Sequence, residues 1–181
     1  MTDGTDERTG GSHVEERLVD DGLIDDFERA ASARVGELGD DIDRSTFAAM
    51  FDLFRASSRI IGDLETTAHR PEGLSTAGFR ILFTVWVFGS LEPRRIAHLS
   101  GVTRAAVSGV VSTLEREGFV TRTRREADRR LITVELTDAG RAVLAATYQR
   151  QNRREREVFS VLTPDELARF TDTLRKLLHG S

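Results

Sequence analysis

Two hydrophobic periods meet in the middle of this chain, and the point where one replaces the other predicts its central unit. Val107, Val110, Val111 and Leu114 fall at i, i+3, i+4 and i+7, one face of an α-helix. Thr103 precedes the run as an N-cap, and Gly118 supplies a residue able to take the left-handed conformation that ends it. Past Gly118 the period shortens to two. Phe119–Arg124 and Leu131–Leu136 alternate in character as strands do, and the polar stretch Arg125–Arg130 reads as the hairpin loop between them. Upstream, Pro93–Leu99 predicts a short helix with proline at its first position and Ile96, Ala97 and Leu99 turned inward. Ser100-Gly101-Val102 is the tight turn joining the two helices. Helix, turn, helix and hairpin in this order predict a winged helix-turn-helix over residues 74–137.

The flanks read as helical. Residues 1–17 are rich in Gly, Thr and Asp and are expected to form a disordered acidic tail. Leu23, Ile24, Phe27, Ala31, Val35 and Leu38 give a helical pattern over residues 18–38, interrupted by Gly22 and Gly36. A clearer stripe of Phe47, Met50, Phe51, Phe54, Ile61 and Leu64 runs from Asp43 to Ala68, followed by a loop at His69–Gly73. Ser75 caps a helix carrying Phe79, Leu82, Phe83, Trp86 and Val87. Thr137 opens a long helix whose middle, Gln149–Glu157, is almost wholly polar. Thr163-Pro-Asp-Glu166 is a capping box that starts a last helix with Leu167, Phe170, Leu174, Leu177 and Leu178 along one face. The fold is therefore expected to be mainly α with one small β-hairpin wing. The N-terminal helices (18–73) and C-terminal helices (138–181) carry more apolar face than the central unit can cover. They either pack on each other within one subunit or form a dimer interface.

The outer face of the helix beginning at Arg104 decides the chemistry. Arg104, Ala105, Ser108, Gly109 and Ser112 are what the apolar stripe leaves outside, and all but the arginine are small or hydroxyl-bearing. A helix entering a major groove needs such a face, because bulky side chains hold its backbone off the base edges. Arg94 and Arg95 on the preceding helix suit phosphate contacts. Arg122, Arg124, Arg129 and Arg130 concentrate charge on the hairpin, and an arginine at its tip suits a narrow minor groove. The net charge of −4 hides this division. Residues 1–43 hold 14 acidic against 4 basic side chains, whereas residues 94–130 hold 9 arginines against 4 acids. DNA responds to the local field, so the basic segment counts for more than the total. Only Lys176 among the 26 basic residues is lysine, and this bias carries no functional weight.

These segments resemble the MarR family of bacterial transcriptional regulators. The resemblance rests on Leu74-Ser-Thr-Ala-Gly-Phe-Arg-Ile-Leu82, Ile96-Ala97-His98-Leu99, Val107-Ser108 and Leu114-Glu-Arg-Glu-Gly118-Phe-Val. It continues through Asp128-Arg-Arg130 and Leu136-Thr-Asp-Ala-Gly140, and covers residues 45 to 178. It implies a homodimer whose terminal helices intertwine and whose two heads bind a palindromic operator. Thr103 joins the DNA-contacting set, Asp128 orients the wing and Arg130 reaches the minor groove. It further implies repression relieved by a small aromatic or phenolic ligand, in a cleft lined here by Phe54, Ser58, Arg80, Phe83 and Trp86. Two positions depart from the family: Gly109 replaces a larger, often basic residue, and Glu92 replaces a Ser or Thr cap. An alternative is a winged-helix module that binds protein and does not read DNA.

Other classes lose ground. With no cysteine there is neither a disulfide framework nor thiol sensing. His13, His69, His98 and His179 lack ligand spacing, so no metal is expected. No phosphate loop, nucleophile elbow or paired carboxylates appear, so neither an enzyme nor a cofactor is expected. No apolar run approaches the ~20 residues of a membrane helix, and the N-terminus lacks a signal-peptide pattern. A cytoplasmic protein is the expectation.

Overall fold

The computed structural model describes the backbone of residues 26–39, 41–125 and 128–180, and their side chains apart from 124–125 and 128–131. The predicted acidic tail, and the start of the first predicted helix with Leu23 and Ile24, lie outside these residues. The chain divides into two units, Met1–Ser58 and Arg59–Ser181.

In the first unit, helix α1 covers residues 26–35 and tightens into a 3₁₀ turn at Gly36–Leu38. Helix α2 (Arg44–Leu64), whose residues up to Ser58 belong to this unit, begins where Asp43 gathers donors. Its carboxylate accepts from the backbone N–H groups of Ser45 (2.8 Å) and Thr46 (3.2 Å) and from both hydroxyls. Bonds to the charged form hold the Asp43 carboxyl at about 2, below the ordinary 3.8. A lowered pKa means that this support for the helix start is complete above the ordinary value and fades as pH falls through 2. Phe27 of α1 packs on Phe51 of α2 with ring centroids 5.8 Å apart. Arg55 lies over the same Phe51 ring and pairs with Glu28 at 3.1 Å.

The second unit holds the buried core. The predicted loop at His69–Gly73 is instead helical, with a π turn at Glu65–His69 and a 3₁₀ turn at Arg70–Glu72. The Thr66 and Thr67 hydroxyls bond back to the Gly62 and Asp63 carbonyls (2.9 and 2.8 Å), and Gly73 ends the turn at φ 75°. Then come α3 (Thr76–Phe88), α4 (Pro93–Ser100), α5 (Arg104–Arg116), β1 (Val120–Arg125), β2 (Asp128–Leu136), α6 (Asp138–Phe159) and α7 (Pro164–His179). Ile81, Leu82 and Val85 of α3 meet Ile96 of α4, Val107, Val111 and Leu114 of α5, Val120 and Val134 of the hairpin, and Leu144 of α6. Leu91 adds a bridge to Val134 through two backbone bonds of 3.1 and 2.8 Å. Leu99 was expected inside but is 42% exposed, because it sits on the rim of the short face that Ile96 and Ala97 bury.

The hairpin is longer than its sequence pattern. Antiparallel pairing runs from Val120↔Leu136 to Arg124↔Ile132, then shifts register to Arg125↔Asp128. Arg125 and the second half of the predicted loop, Asp128 to Arg130, therefore belong to the strands. Beyond the core nothing apolar is needed on either face, so the alternation that marks a strand disappears while the backbone bonds continue.

Gly140 locks this hairpin to α6. The Thr137 hydroxyl caps α6 by accepting from Gly140 N–H at 3.0 Å and donates to the Gly118 carbonyl at 2.7 Å. Thr137 N–H donates to the Phe119 carbonyl at 3.1 Å, bringing that peptide directly against the Gly140 Cα. The polar middle of α6 is also accounted for. Arg154 clasps Asp63 (2.6 and 3.2 Å), and Arg150 bonds Glu72 at 2.6 Å. His69 is buried, with Nε2 at 2.8 Å from Gln151 Oε1, Nδ1 at 3.2 Å from Thr76 Oγ1, and its ring stacked on Phe79. Thr76 donates in turn to Glu65 at 2.8 Å, which helps hold the Glu65 carboxyl below its usual range.

Candidate nucleic-acid interface

Helix α5 is aimed by its two faces. Thr103 caps it, accepting from Ala106 N–H at 3.3 Å, and Val107, Val111 and Leu114 pin its inner side to the core. Opposite them, Ala105, Gly109, Ser112 and Arg116 follow at i, i+4, i+7 and i+11, all exposed. A Cβ added at Gly109 would meet nothing within 4 Å, so the line is open at this position. Arg104 is exposed in the first turn, where the free N–H groups already favour an anion. The tight turn before α5 is made by Gly101 at φ 69°.

The other expected contacts sort into three groups. Arg94 and Arg95 are exposed on the first turn of α4, and Glu92 occupies its N-cap position without a side-chain bond, as expected of a weak cap. Arg122 is turned toward α5: its Nη2 donates to Ser112 Oγ at 2.7 Å, and its Nε lies 3.4 Å from the Glu115 carboxylate. Ser112 in turn donates to the Ser108 carbonyl at 2.9 Å. Glu115 was not foreseen, although Ser108, Ser112 and Glu115 share the i, i+4, i+7 spacing of one helical stripe. Arg124 of β1 and Asp128, Arg129 and Arg130 of β2 have their backbones in the hairpin strands, but their side chains lie outside the described residues.

For the expected ligand site, Phe54 and Ser58 are exposed in the first unit. In the second, Phe83 is half-buried with its ring 5.7 Å from Trp86 and 5.8 Å from Tyr148 of α6. Trp86 is 53% exposed, and Arg80 is half-buried one turn from Phe83. Among the described residues no group of three His, Cys, Asp or Glu side chains could hold a metal ion, and no helix is long and apolar enough to cross a membrane.

Comparison with known proteins agrees with this geometry. Residues 74–132 match the family model described as MarR family. An uncharacterized HTH-type transcriptional regulator of Bacillus subtilis, YwaE, is 36% identical over 126 residues, which span 70% of this chain and 74% of that protein. The HTH-type transcriptional repressor YetL of the same species is 32% identical over 54% of this chain and 58% of its own. Among solved structures, BpsR of Bordetella bronchiseptica superposes with a TM-score of 0.66 at 25% identity, covering 71% of this chain and 97% of that one. Its structure is described as a mechanism for regulation of DNA binding by 6-hydroxynicotinic acid.

Proposed function

From the premise that this chain belongs to the MarR family of DNA-binding transcriptional regulators, we propose that it is a homodimeric, sequence-specific repressor whose grip on DNA a small aromatic anion relieves. Its relatives and its fold are those of regulators, not enzymes. The observation that carries the DNA-reading part is the outer face of the first half of α5: small side chains, an exposed arginine at the helix start, and open space at Gly109 where a base edge could approach. Arg104 reads a base, Arg94 and Arg95 hold phosphates, and Arg124, Arg129 and Arg130 serve the wing with Asp128 orienting it.

Two heads are needed because one offers too few contacts, and twofold symmetry sets them ~34–36 Å apart on successive groove faces. Helix α7 supports the dimer. None of its residues is buried, yet Phe170 is 41% exposed, Leu177 69% and Leu178 80%, an apolar row suited to a second copy. The ligand reading draws on BpsR and on the aromatic cluster of half-buried Phe83 with exposed Trp86 and Tyr148, with Arg80 one turn away on α3. Repression is argued from YetL.

Fluorescence anisotropy on the duplex flanking its own gene tests the reading. Affinity should fall about 10³-fold or more between ~50 and ~200 mM salt if six or more phosphates are contacted. Arg104→Ala should cost about 1–3 kcal/mol and relax preference at one base pair. A binding curve indifferent to salt would remove the phosphate contacts, and a uniform loss across sequences would demote Arg104 to a backbone contact.

A further inference from the structure

Arg122 stands on β1 opposite Val134, in the arginine-rich hairpin, and by charge alone would be counted among the DNA contacts. Its surroundings direct it elsewhere. The guanidinium donates to Ser112 Oγ at 2.7 Å, lies 3.5 Å from the Ser108 carbonyl, and faces the Glu115 carboxylate across 3.4 Å. All three partners belong to one stripe of α5, on the side of the recognition helix that turns to the hairpin. The Ser112 hydroxyl spends its one proton on the Ser108 carbonyl while accepting from Arg122. Only 31% of the Arg122 side chain is exposed, against 70% for Arg116 on the same helix's outer line. An arginine held by a hydroxyl and a carboxylate on a neighbouring element has its fork occupied and its geometry fixed.

We propose that Arg122 is a positioning residue, not a phosphate contact: with Ser112 and Glu115 it sets the angle between the hairpin and the recognition helix, so that the two DNA-reading parts meet the duplex as one rigid head. This rests on the DNA-binding reading above. It also explains an acid in this place. Glu115 adds negative charge to the segment that faces phosphates, so on electrostatic grounds alone its removal would tighten binding. As the anchor of Arg122 it is required, and its removal loosens the head. The two accounts predict opposite signs for the same substitution.

The full chain and its Arg122→Ala, Glu115→Gln and doubly substituted forms are titrated on one operator duplex over a salt series, with thermal unfolding measured alongside. The proposal expects each single substitution to weaken binding about tenfold, and the double substitution to be no worse than Arg122→Ala, because both remove the same interaction. The slope of log K against log salt stays at the wild-type value. A slope shallower by about 0.9 in Arg122→Ala, with Glu115→Gln binding more tightly, would overturn it in favour of a phosphate contact. Unchanged affinity of the folded fraction with a lowered Tm would overturn it in favour of a role in stability alone. If the unsubstituted chain shows no salt-dependent duplex binding, the DNA-binding reading itself fails, and that result is distinct from either.

Discussion

Gly140→Ala should lower the stability of the second unit by about 1–3 kcal/mol, although alanine favours a helix interior by roughly 1 kcal/mol over glycine. A Cβ at this position falls onto the Phe119 carbonyl oxygen and within 2.9 Å of its carbon. The carbonyl has nowhere to go. It accepts from Thr137 N–H at 3.1 Å, while Phe119 N–H is tied to the Leu114 carbonyl at 2.9 Å at the end of α5. Relief therefore requires moving α6 away from the hairpin, which breaks the Thr137 cap and opens the core at Leu144. A chain of this size loses about 2–4 °C in Tm per kcal/mol, so urea or thermal unfolding reads the effect directly. Unfolding at or above the parent midpoint would show that the contact yields without cost.

Gly109→Glu should do the reverse to stability and far more to function. Nothing lies within 4 Å of the added Cβ, and exchanging glycine for a good helix former adds about 0.5–1 kcal/mol. DNA affinity, however, should drop about 100-fold or more. The carboxylate faces phosphates, where like charges cost several kcal/mol, and its bulk lifts α5 off the base edges. Paired anisotropy and unfolding measurements on the one variant separate the two effects. A stabilised protein that binds DNA as before would exclude this face of α5 from the interface. These two helical glycines are alike by residue type and opposite by surroundings.

That contrast marks what the sequence could disclose. Caps were legible because a cap is a local bond: Ser75, Thr103, Thr137 and Thr163 each accept from an N–H three residues on. The inner face of α5 was legible because burial imposes a period. The hairpin end was not, since strands that leave the core keep their backbone ladder and lose their apolar alternation. The expected loop at His69–Gly73 is helical because its order comes from outside the segment, from Gln151 and Thr76 around His69 and from Arg150 on Glu72. Arg122 carried the right charge for a DNA contact, and only its distances to Ser112 and Glu115 reveal another use. The apolar stripe of α7 was readable in the sequence, and the structure leaves it exposed.

The measurement closest to the central claim is a hydroxyl-radical footprint of the full chain on the DNA flanking its gene, taken together with its mass in solution. Two protected half-sites about 10–10.5 base pairs apart, centre to centre, on a palindrome and bound by a dimer, are the predicted result. A monomer, or protection that heparin abolishes as readily on any duplex as on this one, would contradict it.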